Sequence, residues 1–179
     1  MVLHQGPLAY FRRFAGDGHS EIARGMMNFF ADRLPKEVIV GAATRFLGDG
    51  LIHRTERGDL VRSKSELVIA DKLQARGIDY AYEQPLLLAD GRVRYPDFTI
   101  ADPARGVTYY WEHLELLDDP SYRSRWERKR AEYLAAGIRP YADGGGPEGT
   151  LIETRDDPVG RLDAAAIATL ITAILLDES

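Results

Sequence analysis

Cysteine is absent from the 179 residues. That excludes a disulfide framework, a thiolate nucleophile and a cysteine-based zinc site, and it suits a reducing compartment. Long apolar runs are absent too, since no stretch reaches the roughly 18 consecutive apolar residues that read as a membrane-spanning helix. The opening MVLHQGPLAYFRRF lacks a signal-peptide pattern, so the expected location is cytoplasmic and no membrane partner is expected. Positive charge is in deficit: 23 Lys and Arg stand against 28 Asp and Glu, a formal net charge of −5. Coating of nucleic acid through bulk charge is thereby disfavoured, although a local basic surface remains available. Internal repeats and low-complexity tracts are absent. The glycine-rich segment 140–149 lacks the Gly-Lys-Ser/Thr ending of a phosphate-cradling loop. His4, His19 and His53 are scattered without ligand spacing.

What is present fits one well-filled core with an appendage: 45% of residues are hydrophobic and 28% charged,. Residues 1–57 read as an N-terminal helical or irregular extension and residues 58–179 as the core. In the extension, Ile22, Met26, Phe29, Phe30 and Leu34 fall near helical spacing behind Ser20, and Arg12 and Arg13 sit among Tyr10, Phe11 and Phe14. Segment 36–43 is compatible with a strand or a helix. Thr55-Glu56-Arg57-Gly58 predicts a hairpin turn. Ser63 predicts the N-cap of a helix over 64–76 whose inner face is Leu67, Ile69, Ala70 and Leu73, with Gly77 as its stop. Extended segments over 78–82 and 84–88 follow, then the Asp90-Gly91 turn. Asp119 and Pro120 predict a helix to about Ala136, and Asp163 caps a last helix over 164–176 after a short strand over 150–154. This order suits an α/β layer fold with helices flanking a mixed sheet.

The chemistry concentrates in RYPDFTIADPARGVTYYWEHL, residues 94–114. Two strand-like runs, 93–100 and 107–114, flank a turn-rich segment and carry one carboxylate each, Asp97 and Glu112. Strand alternation places Val107, Tyr109 and Trp111 on one side and Thr108, Tyr110, Glu112 and Leu114 on the other, with His113 turned away from Glu112. Paired as a hairpin, the runs let Asp97 and Glu112 converge into an oxygen site for Mg2+ or Mn2+. A bland alternative for Glu112 is a buried ion pair with an arginine such as Arg94. On the helix after Pro120, Tyr122, Trp126, Lys129 and Tyr133 are spaced by four, three and four and share one face, so a lysine sits in an aromatic stripe. Arg123, Arg125, Arg128 and Arg130 spread over the remaining surface as candidate phosphate contacts.

A Pro-Asp followed about a dozen residues later by a strand glutamate resembles the PD-(D/E)XK nuclease superfamily, the restriction-endonuclease-like fold. RSKSE (62–66), YEQPL (82–86), YPDFTI (95–100), YWEHL (110–114) and the Tyr122, Trp126, Lys129, Tyr133 spacing are similar to nuclease domains attached to bacterial superfamily 1 helicases, over about residues 58–154. The resemblance implies a mixed central sheet and a metal-dependent nuclease hydrolysing DNA phosphodiester bonds. It also implies a helicase or other nucleic-acid-processing protein as partner. Asp97 and Glu112 would be the metal carboxylates, with the His113 backbone carbonyl as a further oxygen and Glu66 as the third acid. Leu114 stands where the family carries a lysine and Glu115 where a glycine is expected. The ammonium must then come from elsewhere: Lys129 is the first candidate and Lys64 the rival. Ser63 and Glu66 also match a capping box, which gives Glu66 a purely structural alternative. Two other readings stay open, a catalytically silent nucleic-acid- or protein-binding module on the same fold and a metal-dependent ribonuclease.

Overall fold

The computed structural model describes residues 51–157 and 159–176. The expected helix over 19–34, the Arg12 and Arg13 cluster and segment 36–43 lie outside the described residues. Within the compact unit Gly50–Ser179, the chain opens with a hairpin of β1 (His53–Arg54) and β2 (Leu60–Val61). Gly58 turns it at φ 96°, a conformation that residues bearing a Cβ resist. Residues 51–57 are therefore part of this unit's first hairpin.

Helix α1 (Lys64–Gln74) starts at Ser63, whose side chain accepts from the Glu66 N–H while Glu66 returns to the Ser63 N–H. It buries Ser65, Ile69, Ala70 and Leu73. Leu67, expected on the inner face, is only half-buried: it lies two residues from both Ser65 and Ile69, off the stripe that faces the sheet. After Gly77 come β3 (Ala81–Tyr82), β4 (Leu86–Leu87), β5 (Val93–Arg94), β6 (Phe98–Asp102) and β7 (Val107–Leu114). The expected single run over 93–100 is in fact two strands. Val93–Arg94 pairs with Leu86–Leu87 in a separate hairpin, whereas Phe98–Asp102 pairs with β7. Pro96 lies between them and has no N–H to give to a ladder.

Helix α2 (Pro120–Ala135) follows, capped by Asp119, which accepts from the Tyr122 N–H. Then come β8 (Arg139–Pro140), a 3-10 turn (Tyr141–Asp143), β9 (Thr150–Arg155) and α3 (Ala164–Ile171), whose last segment Thr172–Leu176 widens into a π-turn. The main sheet has the order β3-β6-β7-β9-β8. Its first three strands are antiparallel, while β9 runs parallel to β7 and to β8.

The architecture is a mixed α/β layer fold, with a five-stranded sheet flanked by three helices. Ile69, Leu73, Phe98, Ile100, Tyr109, Trp111, Ile152, Ile167 and Ile171 form one core, packing α1 and α3 against one sheet face. Tyr110, Leu114, Trp126, Tyr133, Ile138 and Leu151 form the other, packing α2 on the opposite face. Central β7 is buried on both sides, so Glu112 and His113 enter different cores. Among the described residues no helix is long and apolar enough to cross a membrane.

Candidate active site

Register brings the first two acids together. Phe98 pairs with Trp111, and continuing that ladder by one residue sets Asp97 against Glu112. The His113 amide N–H donates to Asp97 Oδ2 at 2.6 Å. Glu112 is only 4% exposed, so its charge must be met inside the fold. Helix α2 meets it. Lys129 Nζ donates to Glu112 Oε2 at 2.8 Å and to the Tyr95 carbonyl at 3.0 Å, and the Tyr133 hydroxyl donates to Glu112 Oε1 at 2.6 Å. The bland partner offered for Glu112, Arg94, instead pairs with Glu132 on the same helix.

The electrostatics follow from burial. Desolvation, helped by Glu112 and Glu66, pushes the Asp97 carboxyl well above its usual range against the opposing pull of Lys129 and the His113 N–H,. Desolvation also raises Glu112, with Lys129 and Tyr133 pulling it down. Burial raises Tyr122 to about 12, and Asp97 adds to the effect. Buried carboxyl groups whose ionisation is opposed by desolvation and by a neighbouring acid are concentrated at functional sites, and they also occur in structural ion-pair networks.

Glu66 serves two elements. Its Oε2 accepts from the Arg62 N–H at 2.8 Å, the Ser63 N–H at 3.2 Å and the Tyr82 hydroxyl at 2.7 Å. Its Oε1 carries no hydrogen bond among the described residues. The capping box is formed, yet Glu66 is also near enough to Asp97 to help raise its pKa. Lys64, the rival lysine, stands exposed on the first turn of α1 without a hydrogen bond or ion pair among the described residues.

The arginines divide. Arg94, Arg125, Arg128, Lys129 and Glu132 line an open cleft of about 290 Å³. Arg130 is drawn away to Glu153 on β9 at 2.8 Å, and Arg123 donates to the Leu117 carbonyl at 2.9 Å. Leu114 is buried under α2. Glu115 lies half-buried near His113 and Asp156, the three offering ligand atoms within 4.8 Å of one another.

On the far face of β7, the Trp111 Nε1–H donates to Thr154 Oγ1 at 2.8 Å, and the same oxygen lies 2.9 Å from His113 Nδ1. His113 Nε2 lies 3.0 Å from Asp156 Oδ1. An ionised carboxylate only accepts, so Nε2–H donates to Asp156, while Nδ1 lies within hydrogen-bond distance of the Thr154 hydroxyl,. The imidazole is therefore held away from Glu112, as alternation along the strand requires.

No family model, curated protein or solved structure matches the chain. The site's own chemistry therefore carries the functional reading. Its donor set is oxygen only, from Asp97, Glu112 and the Oε1 of Glu66, which has no partner among the described residues, and this suits a hard divalent cation. The Lys129 ammonium, seated on Glu112, shows that this pocket accommodates positive charge. The hydroxyls of Tyr133 and Tyr82 were not legible as site groups, although Tyr133 follows Lys129 by one helical turn on the same face.

Proposed function

We propose that the chain is a metal-dependent nuclease hydrolysing phosphodiester bonds in DNA, built on a restriction-endonuclease-like arrangement of the sheet and its helices. One observation carries this reading: Asp97 and Glu112 face each other across paired strands while Lys129 reaches Glu112 from a different element. The lysine missing at position 114 is thus supplied from α2. Asp97, Glu112 and Glu66 would hold Mg2+ or Mn2+, with the His113 carbonyl as a further oxygen. Bound there, such an ion lowers the pKa of a water molecule and offsets charge on the reacting phosphate.

The remaining work belongs to the chain. Lys129, anchored by Glu112 and the Tyr95 carbonyl, keeps a fixed positive charge beside the attacking oxygen and the phosphate, where it costs little reorganisation. Tyr133 holds the second oxygen of Glu112 and so limits its rotation. Arg125 and Arg128, lining the adjoining cleft, would draw in flanking phosphates and align the substrate. A helicase or other nucleic-acid-processing protein is the partner this reading favours.

The test is cleavage of plasmid, single-stranded DNA and RNA with Mg2+ or Mn2+ against chelator, using the parent, Asp97→Asn and Glu112→Gln. The expected result is metal-dependent DNA cleavage by the parent and a loss of orders of magnitude in both variants, whose side-chain volumes barely change. Near-normal cleavage by either variant would remove the proposed site. Cleavage confined to RNA would make the protein a ribonuclease, and binding without cleavage a silent module.

A further inference from the structure

The three carboxylates come from three elements, and only two are set by sheet pairing. Asp97 and Glu112 are placed by the register of β6 and β7. Glu66 rides on α1, which no ladder fixes. The Tyr82 hydroxyl on β3 already ties Glu66 to the sheet, and a hydrogen-bonded chain on the opposite face of β7 supplies a second link. Ser65, the neighbour of Glu66, is buried and its hydroxyl donates to Asp156 Oδ1 at 3.2 Å. Asp156 also accepts from His113 Nε2–H at 3.0 Å, and its own amide donates to the Leu114 carbonyl at 3.3 Å. His113 completes the circuit by donating its amide N–H to Asp97 at 2.6 Å. His113 thus holds Asp97 with its main chain and, through Asp156, reaches the first turn of α1 with its ring.

We propose that Asp156 and His113 are positioning residues that set Glu66 against Asp97 and Glu112; this rests on the metal-site reading above. Both ring nitrogens of His113 are engaged, and its side chain is wholly buried between Thr154 and Asp156. The ring is thereby fixed in one orientation, as is required of a group that transmits position. Asp156 Oδ1 accepts from two different elements, so its removal breaks both hydrogen bonds at once, while the core packing of α1 and the Glu66–Tyr82 contact stay in place. The effect on metal affinity is indirect. Partners that orient a ligating group typically contribute about 10–100-fold in affinity, and here the contact is one step further removed, which places the expected loss near the lower end.

The experiment is titration calorimetry with Mn2+ on the whole chain, with thermal melts in chelator, for the parent, Asp156→Ala, Asp156→Asn, Ser65→Ala, Glu115→Gln and Asp97→Asn. Asparagine keeps the oxygen that accepts from Ser65 and His113, whereas alanine removes it. The expected pattern is about tenfold weaker Mn2+ binding in Asp156→Ala, a smaller loss in Ser65→Ala, and near-parent binding in Asp156→Asn and Glu115→Gln. Asp97→Asn should bind no Mn2+.

Parent-like affinity in both Asp156→Ala and Ser65→Ala would overturn the positioning role while leaving the metal site standing. Undiminished binding in Asp97→Asn would overturn the metal site itself. If Asp156→Asn and Glu115→Gln lose as much as Asp156→Ala, then Asp156 is a ligand in a cluster with His113 and Glu115, which also overturns positioning. Should the melts show that Asp156→Ala does not fold, the subtler Ser65→Ala, measured against Asp156→Asn, decides.

Discussion

At the level of single residues, ionised Asp97 is a stability liability. Its folded pKa is raised by burial and by Glu112 and Glu66. A carboxyl with a raised folded pKa contributes stability that is fully present below its unfolded value, about 4, and is lost as pH rises through the folded value above the ordinary range. Asparagine has the same shape, still accepts from the His113 N–H and never ionises. In chelator, Asp97→Asn should therefore melt above the parent near pH 8, with the gain shrinking towards about pH 4. Melting series across that range check it, and a difference independent of pH would show that Asp97 ionises as easily folded as unfolded. Glu66 makes a complementary case, because the capping contacts all fall on Oε2 and the proposed metal role falls on Oε1. Glutamine can still accept the N–H donors of the capping box, and losing a cap outright would cost only about 0.5–2 kcal/mol. Glu66→Gln should melt within a few degrees of the parent yet cleave far more slowly, with partial rescue by high Mg2+ or by Mn2+. Unchanged activity and metal dependence would return Glu66 to helix capping alone.

Among the elements, the best-read parts are those with local signals. Ser63 and Glu66 open α1, Asp119 and Pro120 open α2, and Gly77 and Gly137 follow their ends with φ of 68° and 84°. Glu112, Lys129 and Tyr133 could also be placed, since strand alternation and helical spacing each put a residue on a definite face. The break at Tyr95 to Asp97 was not legible, because the apolar pattern runs across it and only Pro96 marks the change of partner. Asp156 was less legible still. Its partners His113 and Ser65 lie 43 and 91 residues away, beyond anything a local pattern encodes. Helix α2 carries the prediction at this scale, since it supplies the ammonium that β7 lacks. Lys129→Met keeps the stem packed in the aromatic stripe and removes the charge. Slow cleavage with Mn2+ binding retained is expected from single-turnover rates and calorimetry on the same preparation. Full activity in Lys129→Met combined with loss in Lys64→Met would move the role to α1.

For the molecule as a whole, the proposed binding of a polyanion has to be reconciled with a net charge of −5. The arrangement of α2 does so by sorting its arginines. Arg125 and Arg128 line the cleft next to Lys129, whereas the Arg130 guanidinium is paired with Glu153 on β9 and Arg123 folds back on the Leu117 carbonyl. Each phosphate neutralised by a protein cation releases condensed counterions, so the logarithm of affinity falls with the logarithm of salt by about 0.7 per contact on single strands and about 0.9 on duplex. Arg125→Ala and Arg128→Ala should each weaken binding of a DNA oligonucleotide and flatten that slope by about one contact, whatever the sequence of the DNA. Arg130→Ala and Arg123→Ala should leave the slope close to that of the parent, although all four substitutions change the net charge equally. Fluorescence anisotropy over a salt series, in a Glu112→Gln background that does not cleave the probe, separates the two outcomes. Four equal changes in slope would mean that affinity follows overall charge and that the cleft beside Lys129 is not the path of the strand.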